Sequence, residues 1–132
     1  MSNKTLELGH YYGTQEYHSL KPLFHTVATD GVKYVMDNGY SWFITDSVAV
    51  IETPKEIPKL AKHLAEDNFL SVVLDATDKD DIKMIIGDGN DNILYTQKYD
   101  FIIADYDLPN DKLELFWVND GSRAVYMLTG EY

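Results

Sequence analysis

Cysteine is absent from this 132-residue chain, and basic residues are scarce. Without cysteine the fold cannot use disulfides or thiolate metal sites, so its stability must come from packing. The 11 lysines and arginines are outnumbered by 22 aspartates and glutamates, which gives a formal net charge of −11. Because phosphate groups repel such a surface, we expect no direct nucleic-acid partner and no binding to anionic membranes. The charge favours a basic protein partner, although acidic residues also serve simply to keep proteins soluble.

Long apolar runs are missing as well. No uncharged apolar segment reaches the roughly 20 residues that a membrane-spanning helix needs. Residues 1–13 lack the apolar core of a secretory signal, so we expect a soluble, cytoplasmic protein. The length suits one domain over residues 1–132. No cofactor is predicted, since the short Gly87-Asp88-Gly89 places a carboxylate where a phosphate would bind.

The most strongly patterned stretch is residues 29–42. Thr29 or Asp30 can cap a helix by accepting a hydrogen bond from a free backbone amide. Three apolar residues then recur at helical spacing, which places them on one face: Val32, Val35 and Met36. Asn38 or Gly39 can end the helix in the left-handed conformation. The sequence therefore predicts a capped helix that leads into an aromatic core.

Around this helix we predict an irregular arm over residues 1–21 and a mainly helical region over residues 29–67. Residues 40–52 fit either a helix or a strand, and a helix is favoured because polar residues interrupt strand alternation. Thr53 and Glu56 have the spacing of a capping box around Pro54, and a regular helix should follow over residues 58–67. Its buried stripe would comprise Ile57, Leu60, Ala61, Leu64 and Ala65, with His63 facing water.

After Asn68 the helical spacing of apolar residues gives way to alternation of apolar and polar residues. This pattern indicates strands over residues 69–76, 82–87, 92–102, 113–119 and 123–129. Turn residues at 88–90 and 119–122 are typical of hairpins, whose strands must run antiparallel. We therefore predict an α+β fold, with N-terminal helices packed on one face of a four- to five-stranded antiparallel meander sheet over residues 69–132.

Two groups of residues could in principle bind metals. Residues 75–81 and 88–92 are rich in the oxygen ligands that calcium prefers, but the helix-loop-helix calcium pattern fails because Tyr99 stands where a glutamate belongs. The histidines are unevenly spaced and match no hydrolase motif. We predict no metal site and no catalytic residue, and keep a hydrolase that uses His18 and His25 with a nearby carboxylate as a minor alternative.

Two candidate binding sites remain. Acidic and aromatic residues of the C-terminal part form a candidate protein interface that could imitate a phosphate track: Asp100, Asp105, Asp107, Asp111, Glu114 and Asp120 with Tyr99 and Tyr106. A solvated acidic face is the alternative interpretation. Aromatic residues near the first helix form a candidate small-ligand pocket, with two cations for an anionic ligand such as a nucleotide: Tyr34, Tyr40 and Trp42 with Lys33 and Arg123.

Several motifs together carry a family resemblance. They are Gly13-Thr14 with Tyr17 and His18, Thr29-Asp30-Gly31-Val32-Lys33-Tyr34, Tyr40-x-Trp42-x-Ile44-x-Asp46, Asp88-Gly89-Asn90 and the final Glu131-Tyr132. With them the chain resembles an uncharacterised domain-of-unknown-function family of small single-domain proteins from bacterial genomes, plasmids and phages. It departs from the family pattern at residues 126–130, where a leucine pair and a proline are expected, and at the longer or more charged segment 54–67. The resemblance implies a small accessory protein of phages or mobile elements, and it implies no activity.

These observations favour a non-enzymatic protein that binds a host protein with a basic surface, such as a nucleic-acid-handling or defence protein. It would act as an inhibitor of the DNA-mimic or anti-CRISPR kind. A small-ligand or nucleotide-binding protein is the alternative. Exposed strand edges or the apolar run 101–104 could also support a homodimer.

Overall fold

The computed structural model describes residues 8–11, 13–20, 25–100 and 108–132. Three α-helices form one layer: α1 (Asp30–Val35), α2 (Ser41–Glu52) and α3 (Pro58–Glu66). Short 3-10 turns lie at Leu8–His10, Pro54–Glu56, Pro109–Asp111 and Thr129–Glu131. In the parts of the chain that the structure describes, no helix is long and apolar enough to cross a bilayer.

Helices α1 and α2 are joined by a kinked segment, Met36–Tyr40. The side chain of Thr29 caps α1 by accepting a hydrogen bond from the Val32 amide, which confirms one of the two predicted caps. Gly39 has a φ of 103°, a left-handed conformation that suits glycine, so the helix direction changes where the sequence predicted. The helix predicted over residues 40–52 is confirmed as α2.

The predicted capping box before α3 is wrong. The Thr53 hydroxyl donates to the Ala49 carbonyl of α2 instead of capping the next helix. Of the predicted buried stripe of α3 only Leu60 is fully buried, and Ala65 is exposed. His63 is half-buried rather than facing water, and its Nε2 atom is hydrogen-bonded to the Phe69 carbonyl at 2.8 Å. The buried stripe of α3 is therefore narrower than predicted.

Within the described residues, seven strands form one sheet: β1 (His18–Ser19), β2 (Thr26–Ala28), β3 (Phe69–Asp75), β4 (Lys83–Gly87), β5 (Ile93–Lys98), β6 (Lys112–Asn119) and β7 (Ala124–Leu128). Their order is β1-β2-β7-β6-β3-β4-β5. The β2–β7 pair is parallel and the others are antiparallel. The α+β class is confirmed, whereas the predicted four- to five-stranded antiparallel meander is wrong.

The physical reasons for this correction are strand length and a non-local pairing. β1 and β2 have two and three residues, too few to leave an alternating pattern in the sequence. β6 pairs with β3 from Phe69↔Val118 to Asp75↔Lys112 instead of pairing with β5, its predecessor along the chain. The predicted hairpins β4–β5 and β6–β7 are confirmed, because short turns specify them locally.

The core lies between the helices and one face of the sheet. Alternate strand residues are fully buried against α1, α2 and α3, including Leu70, Val72, Leu74, Met84, Ile86, Leu113 and Leu115. A polar contact fixes α2 on the sheet, since the Ser47 and Tyr126 hydroxyls are hydrogen-bonded at 2.8 Å. Burial raises the pKa of Tyr126, so its hydroxyl stays protonated and can keep this bond.

Candidate functional site

The sheet face opposite the helices is unusually apolar for a surface that none of the described helices covers. We call it the open face. The outward residues of β3 alternate with its buried ones, and register places Phe116 beside Ser71 and Ile85 beside Val73. Half-buried or nearly buried apolar side chains continue across five strands: Val27, Phe69, Val73, Ile85, Phe116, Val118, Val125 and Met127. An antiparallel sheet that faces water normally carries polar residues there.

Three aromatic rings form a cluster at the centre of the open face. The centroids of Phe69 and Phe116 are 4.9 Å apart, and Tyr132 packs edge-on against both at 5.5 and 5.3 Å. The Tyr132 side chain remains 75% exposed. Aromatic residues of this kind, partly packed and partly accessible, are common anchors in protein interfaces.

A trough of about 630 Å³ lies beside the aromatic cluster. Its base is formed by Ser71, Val73, Ile85 and Gly87, and the β4–β5 turn supplies one wall. The other lining residues are Gly89, Asn90, Asp91, Asn92, Ile93, Glu114, Leu115, Phe116 and Thr129. The charged residues of this lining are Asp91 and Glu114, so the trough combines an apolar base with an acidic rim.

The β4–β5 turn beside the trough is held by its own side chains. The Asp88 carboxylate accepts hydrogen bonds from the Asn92 side chain and from the backbone amides of Asn90 and Asn92. These bonds hold the pKa of Asp88 below its usual range. Asp88 therefore stabilises the turn, and the neighbouring Asp91 remains exposed at the trough.

Cations lie at the other end of the same face. Register aligns Lys112, Asp75, Lys83 and Lys98 across β6, β3, β4 and β5. Partial burial of Asp75 is outweighed by hydrogen bonds from Thr77 and by the two nearest lysines, so its pKa is lowered. Asp81 pairs with Lys83 at 3.4 Å and with Lys98 at 3.8 Å. The two aspartates offset part of the charge of these three lysines, whereas the charged residues at the trough are the acidic Asp91 and Glu114.

The predicted acidic interface is only partly gathered on this surface. Glu114 lies on the open face at the trough. Asp111 and Asp120 lie at opposite ends of β6, and the Asp120 carboxylate accepts bonds from the Ser122 and Arg123 amides. The exposed Asp100 follows β5. Asp105, Tyr106 and Asp107 lie outside the described residues, as does the apolar run 101–104.

Tyr99 was predicted to be accessible at the interface, but it is half-buried on the helix side. Its hydroxyl donates to the Asp46 carboxylate at 2.6 Å, and its ring packs edge-on against Trp42. Burial, followed by this hydrogen bond, raises the pKa of Tyr99. Tyr99 therefore joins the strand end to α2 and contributes to packing.

The residues of the predicted small-ligand pocket do not meet in one cavity of the described structure. Tyr40 is fully buried in the core, and the Tyr34 ring packs on Tyr11 at 5.1 Å. Lys33 forms an exposed ion pair with Asp37. Arg123 lies over the exposed Tyr17 ring, 4.2 Å from its centroid.

Arg123 instead lines a separate cavity of about 400 Å³ that sequence analysis missed. Its wall contains a polar chain in which Trp117 donates to the Thr26 hydroxyl and Thr26 donates to the Glu52 carboxylate. Glu52 also accepts the backbone amides of His25 and Thr26. The remaining lining residues are Ile51, Leu64, Asp67, Asn119, Gly121, Ser122 and Ala124. His18 contacts Asp30 rather than this cavity, so the two histidines of the minor hydrolase alternative are not brought together.

The fold and this surface define a class of protein: a two-layer α+β domain with one apolar sheet face left accessible among its described elements. Comparison with known proteins shows that the chain belongs to DUF6876, a family of unknown function whose model matches residues 2–132. This confirms the family type inferred from the motifs, while a phage or plasmid origin stays a prediction. No curated protein matches the sequence.

A solved structure supports the fold. The crystal structure of a protein of unknown function from Enterococcus faecalis is similar, with a TM-score of 0.57 and 16% sequence identity. The similarity covers 89% of this chain and 98% of that chain. At this identity the likeness concerns the fold alone.

Proposed function

We propose that this protein is a non-enzymatic binding module, and that the open face docks a partner protein with an apolar patch flanked by lysines or arginines. The observation that carries the proposal is the run of apolar residues at solvent-facing sheet positions, centred on Phe116, Val73 and Ile85. Contiguous apolar surface rimmed by polar groups is typical of interaction sites in soluble proteins.

The open face extends over five neighbouring strands of the sheet, β2, β7, β6, β3 and β4. A stable interface buries about 800 Å² on each partner. Covering apolar area contributes about 25 cal/mol per Å² before the costs of association. The accessible Tyr132 ring and the trough beside it offer an anchor and a recess at the centre of such an interface.

The acidic residues of this surface favour a partner with basic residues. Asp91 and Glu114 rim the trough, and the whole chain carries a formal charge of −11. A basic partner is therefore attracted over a distance and oriented toward the acidic rim. Nucleic-acid-handling proteins have basic surfaces of this kind. Occupying such a surface without catalysis would make this protein an inhibitor, in the manner expected of DNA mimics or anti-CRISPR proteins.

The test compares two charge reversals, Glu114→Lys at the trough and Glu66→Lys at the end of α3 in the helical layer. Both residues are exposed, and both changes alter the net charge equally. Tagged wild type and both tagged variants are used to capture proteins from a lysate of the native host. A protein captured by the wild type is then purified, and its binding to the wild type and to each variant is measured by titration. We expect Glu114→Lys to weaken binding at least tenfold, Glu66→Lys to retain it, and higher salt to weaken it.

Each other outcome is decisive as well. Equal weakening by the two variants would show that net charge alone attracts the partner, and the open face would lose its role. Sedimentation of the purified protein tests whether the open face binds a second copy of this chain. A dimer that Glu114→Lys disrupts would show that the face serves self-association and not a basic partner. A partner whose binding neither variant changes would contradict the proposal.

A second candidate function, small-ligand binding, is favoured by the 400 Å³ cavity. Trp117 contributes to the lining but is only 6% exposed, and the carboxylates of Glu52 and Asp67 face one arginine, Arg123. A neutral planar ligand therefore suits this cavity better than a nucleotide. Thermal-shift screening of nucleosides and nucleotides, with Arg123→Gln as the comparison, tests it. Stabilisation by nucleosides that is unchanged in Arg123→Gln would support the neutral class, and no stabilisation by any compound would remove this function.

A further inference from the structure

Three potential metal ligands from separate parts of the sequence converge beside the start of α1. Ligand atoms of Glu16, His18 and Asp30 all lie within 4.8 Å of one another. His18 Nε2 and Asp30 Oδ1 are 3.0 Å apart. His18 and Asp30 are partly buried, with side-chain exposures of 27% and 31%, and Glu16 is exposed. This cluster lies apart from the residues lining both the trough and the Trp117 cavity.

The fold brings these residues together through β1. Pairing of β1 with β2 places His18 opposite Ala28, two residues before Asp30. Glu16 and His18 are two positions apart, so in an extended chain their side chains point the same way. Sequence analysis predicted no metal site here, because two-residue strands leave no pattern from which this pairing could be inferred.

Neighbouring groups fix the orientation of the Asp30 carboxylate. The Oδ2 atom of Asp30 accepts a hydrogen bond from the backbone amide of Gln15 at 2.9 Å. The backbone amide of Asp30 donates to the Thr14 hydroxyl, also at 2.9 Å. Outer hydrogen bonds of this type orient carboxylate ligands in metal sites, and here the other oxygen, Oδ1, faces His18 Nε2.

The charge balance of the cluster calls for a cation. Two carboxylates approach a single imidazole, and among the described residues the Glu16 carboxylate has no hydrogen-bond or ion-pair partner. The 3.0 Å separation of His18 Nε2 and Asp30 Oδ1 suits a hydrogen bond. It is also close to the roughly 3.3 Å between two ligands that each lie about 2 Å from a tetrahedral zinc ion. A divalent ion bound by all three side chains would offset the charge of both carboxylates, with Glu16 closing on it from within 4.8 Å of the other ligand atoms.

We propose that Glu16, His18 and Asp30 bind a divalent transition-metal ion, with water completing its coordination. One imidazole nitrogen and two carboxylate oxygens form a donor set of borderline hardness, which suits Zn²⁺. Mg²⁺ and Ca²⁺ prefer sites made of oxygen alone and should bind more weakly. Three protein ligands leave open coordination positions, so the bound ion would remain accessible to an anionic group or to water.

The test is isothermal titration of the full chain with Zn²⁺, and with Mg²⁺ for comparison, after removal of metals by chelation and dialysis. We expect one Zn²⁺ per chain, and binding weakened by Glu16→Gln and by His18→Ala by at least the roughly tenfold that loss of an outer-shell partner costs. Glu16 is exposed, so Glu16→Gln should leave the fold intact, which circular dichroism checks. The matched controls are Glu66→Gln and His25→Ala, which remove the same chemical groups elsewhere.

Binding that Glu16→Gln and His18→Ala leave unchanged would place Zn²⁺ at another site and overturn the proposal. Absence of one-to-one binding in the wild type would do the same, and would show that His18 and Asp30 form only a hydrogen-bonded pair. Equal weakening by the two controls would indicate diffuse attraction of the cation to an acidic surface. Preference for Mg²⁺ over Zn²⁺ would contradict the role of the imidazole.

Discussion

At the scale of single residues, Glu131 joins the end of the described chain to the first helix. Its Oε1 atom accepts hydrogen bonds from the Thr29 hydroxyl at 2.6 Å and from the Leu128 backbone amide at 2.9 Å. Its Oε2 atom accepts a hydrogen bond from the Gly31 backbone amide at 3.1 Å. A Cβ at Gly31 would lie 2.5 Å from this carboxylate, so Gly31 allows the close approach. The carboxylate also lies at the positive end of α1.

We predict that Glu131→Ala destabilises the protein by about 2–4 kcal/mol, because three hydrogen bonds to a charged, half-buried group are lost together. Urea unfolding followed by tryptophan fluorescence measures the change. The control is Glu66→Ala, at an exposed position where the carboxylate makes no hydrogen bond within the described structure; it should stay within about 0.5 kcal/mol of wild type. An equally small effect of Glu131→Ala would show that the three bonds contribute nothing net.

Only one member of the Thr29–Glu131 pair could be predicted from the sequence. Thr29 could be identified as a cap from its position before an apolar helical stripe. Its partner Glu131 is 102 residues away, and no local pattern links the two. The Glu16, His18 and Asp30 cluster was missed for the same reason. Side chains that meet through tertiary pairing leave no spacing rule in the sequence.

At the scale of elements, the junction between α1 and α2 depends on Gly39. Its φ of 103° is costly for any residue with a side chain, and Asn38 supports the bend by donating to the Tyr34 carbonyl. We predict that Gly39→Ala destabilises by about 1–2 kcal/mol, and that Gly39→Asn recovers part of the loss because asparagine tolerates this conformation. Thermal and urea unfolding measure both variants.

Gly13→Ala is the control for this pair, since a Cβ there meets nothing within 4 Å and the backbone is not in the left-handed region. It should change stability by less than about 0.5 kcal/mol. If Gly39→Ala proved as harmless as Gly13→Ala, the junction would have to adopt another backbone conformation in solution. A Gly39→Asn variant no better than Gly39→Ala would point to crowding by the side chain rather than backbone strain.

Most elements could be predicted because their signals are local. The three helices and strands β3 to β7 follow from periodicity, and two hairpins follow from turn residues. The order of the strands could not be predicted, since the β3–β6 and β2–β7 pairs join segments far apart in sequence. A signal for the open face was nevertheless present. β3 reads Phe-Leu-Ser-Val-Val-Leu-Asp, and the phase that alternates with its buried residues contains the apolar Phe69 and Val73 as well as the polar Ser71 and Asp75.

At the scale of the whole molecule, acidic side chains are used as structural acceptors as well as surface charge. Four described aspartates have a lowered pKa: Asp30, Asp75, Asp88 and Asp120. For Asp120 the cause is the Arg123 amide, followed by the hydroxyl and amide of Ser122. Each of these hydrogen bonds is stronger to the ionised carboxylate than to the protonated acid. The net charge of −11 therefore includes groups that the fold requires, which limits how far it can be reduced without loss of stability.

This use of carboxylates predicts an acid-sensitive fold. Because the folded pKa values lie below the unfolded value of 3.8, their stabilisation is fully present above the unfolded pKa and is lost as pH falls through the lower folded pKa. We expect the free energy of unfolding, measured in urea between pH 6 and about pH 2.5, to decline steadily below about pH 4. Asp120→Asn should show a shallower decline, since asparagine keeps an acceptor oxygen but does not titrate.

The control for acid sensitivity is Glu66→Gln, which removes a carboxylate that makes no hydrogen bond in the described part of the chain. Its pH dependence should follow that of the wild type. A wild-type stability that rises as the pH falls would mean that relief of repulsion among 22 acidic residues outweighs the lost hydrogen bonds. In that case the acidic surface would be a net cost to folding, and binding a basic partner at the open face would become the stronger explanation for retaining it.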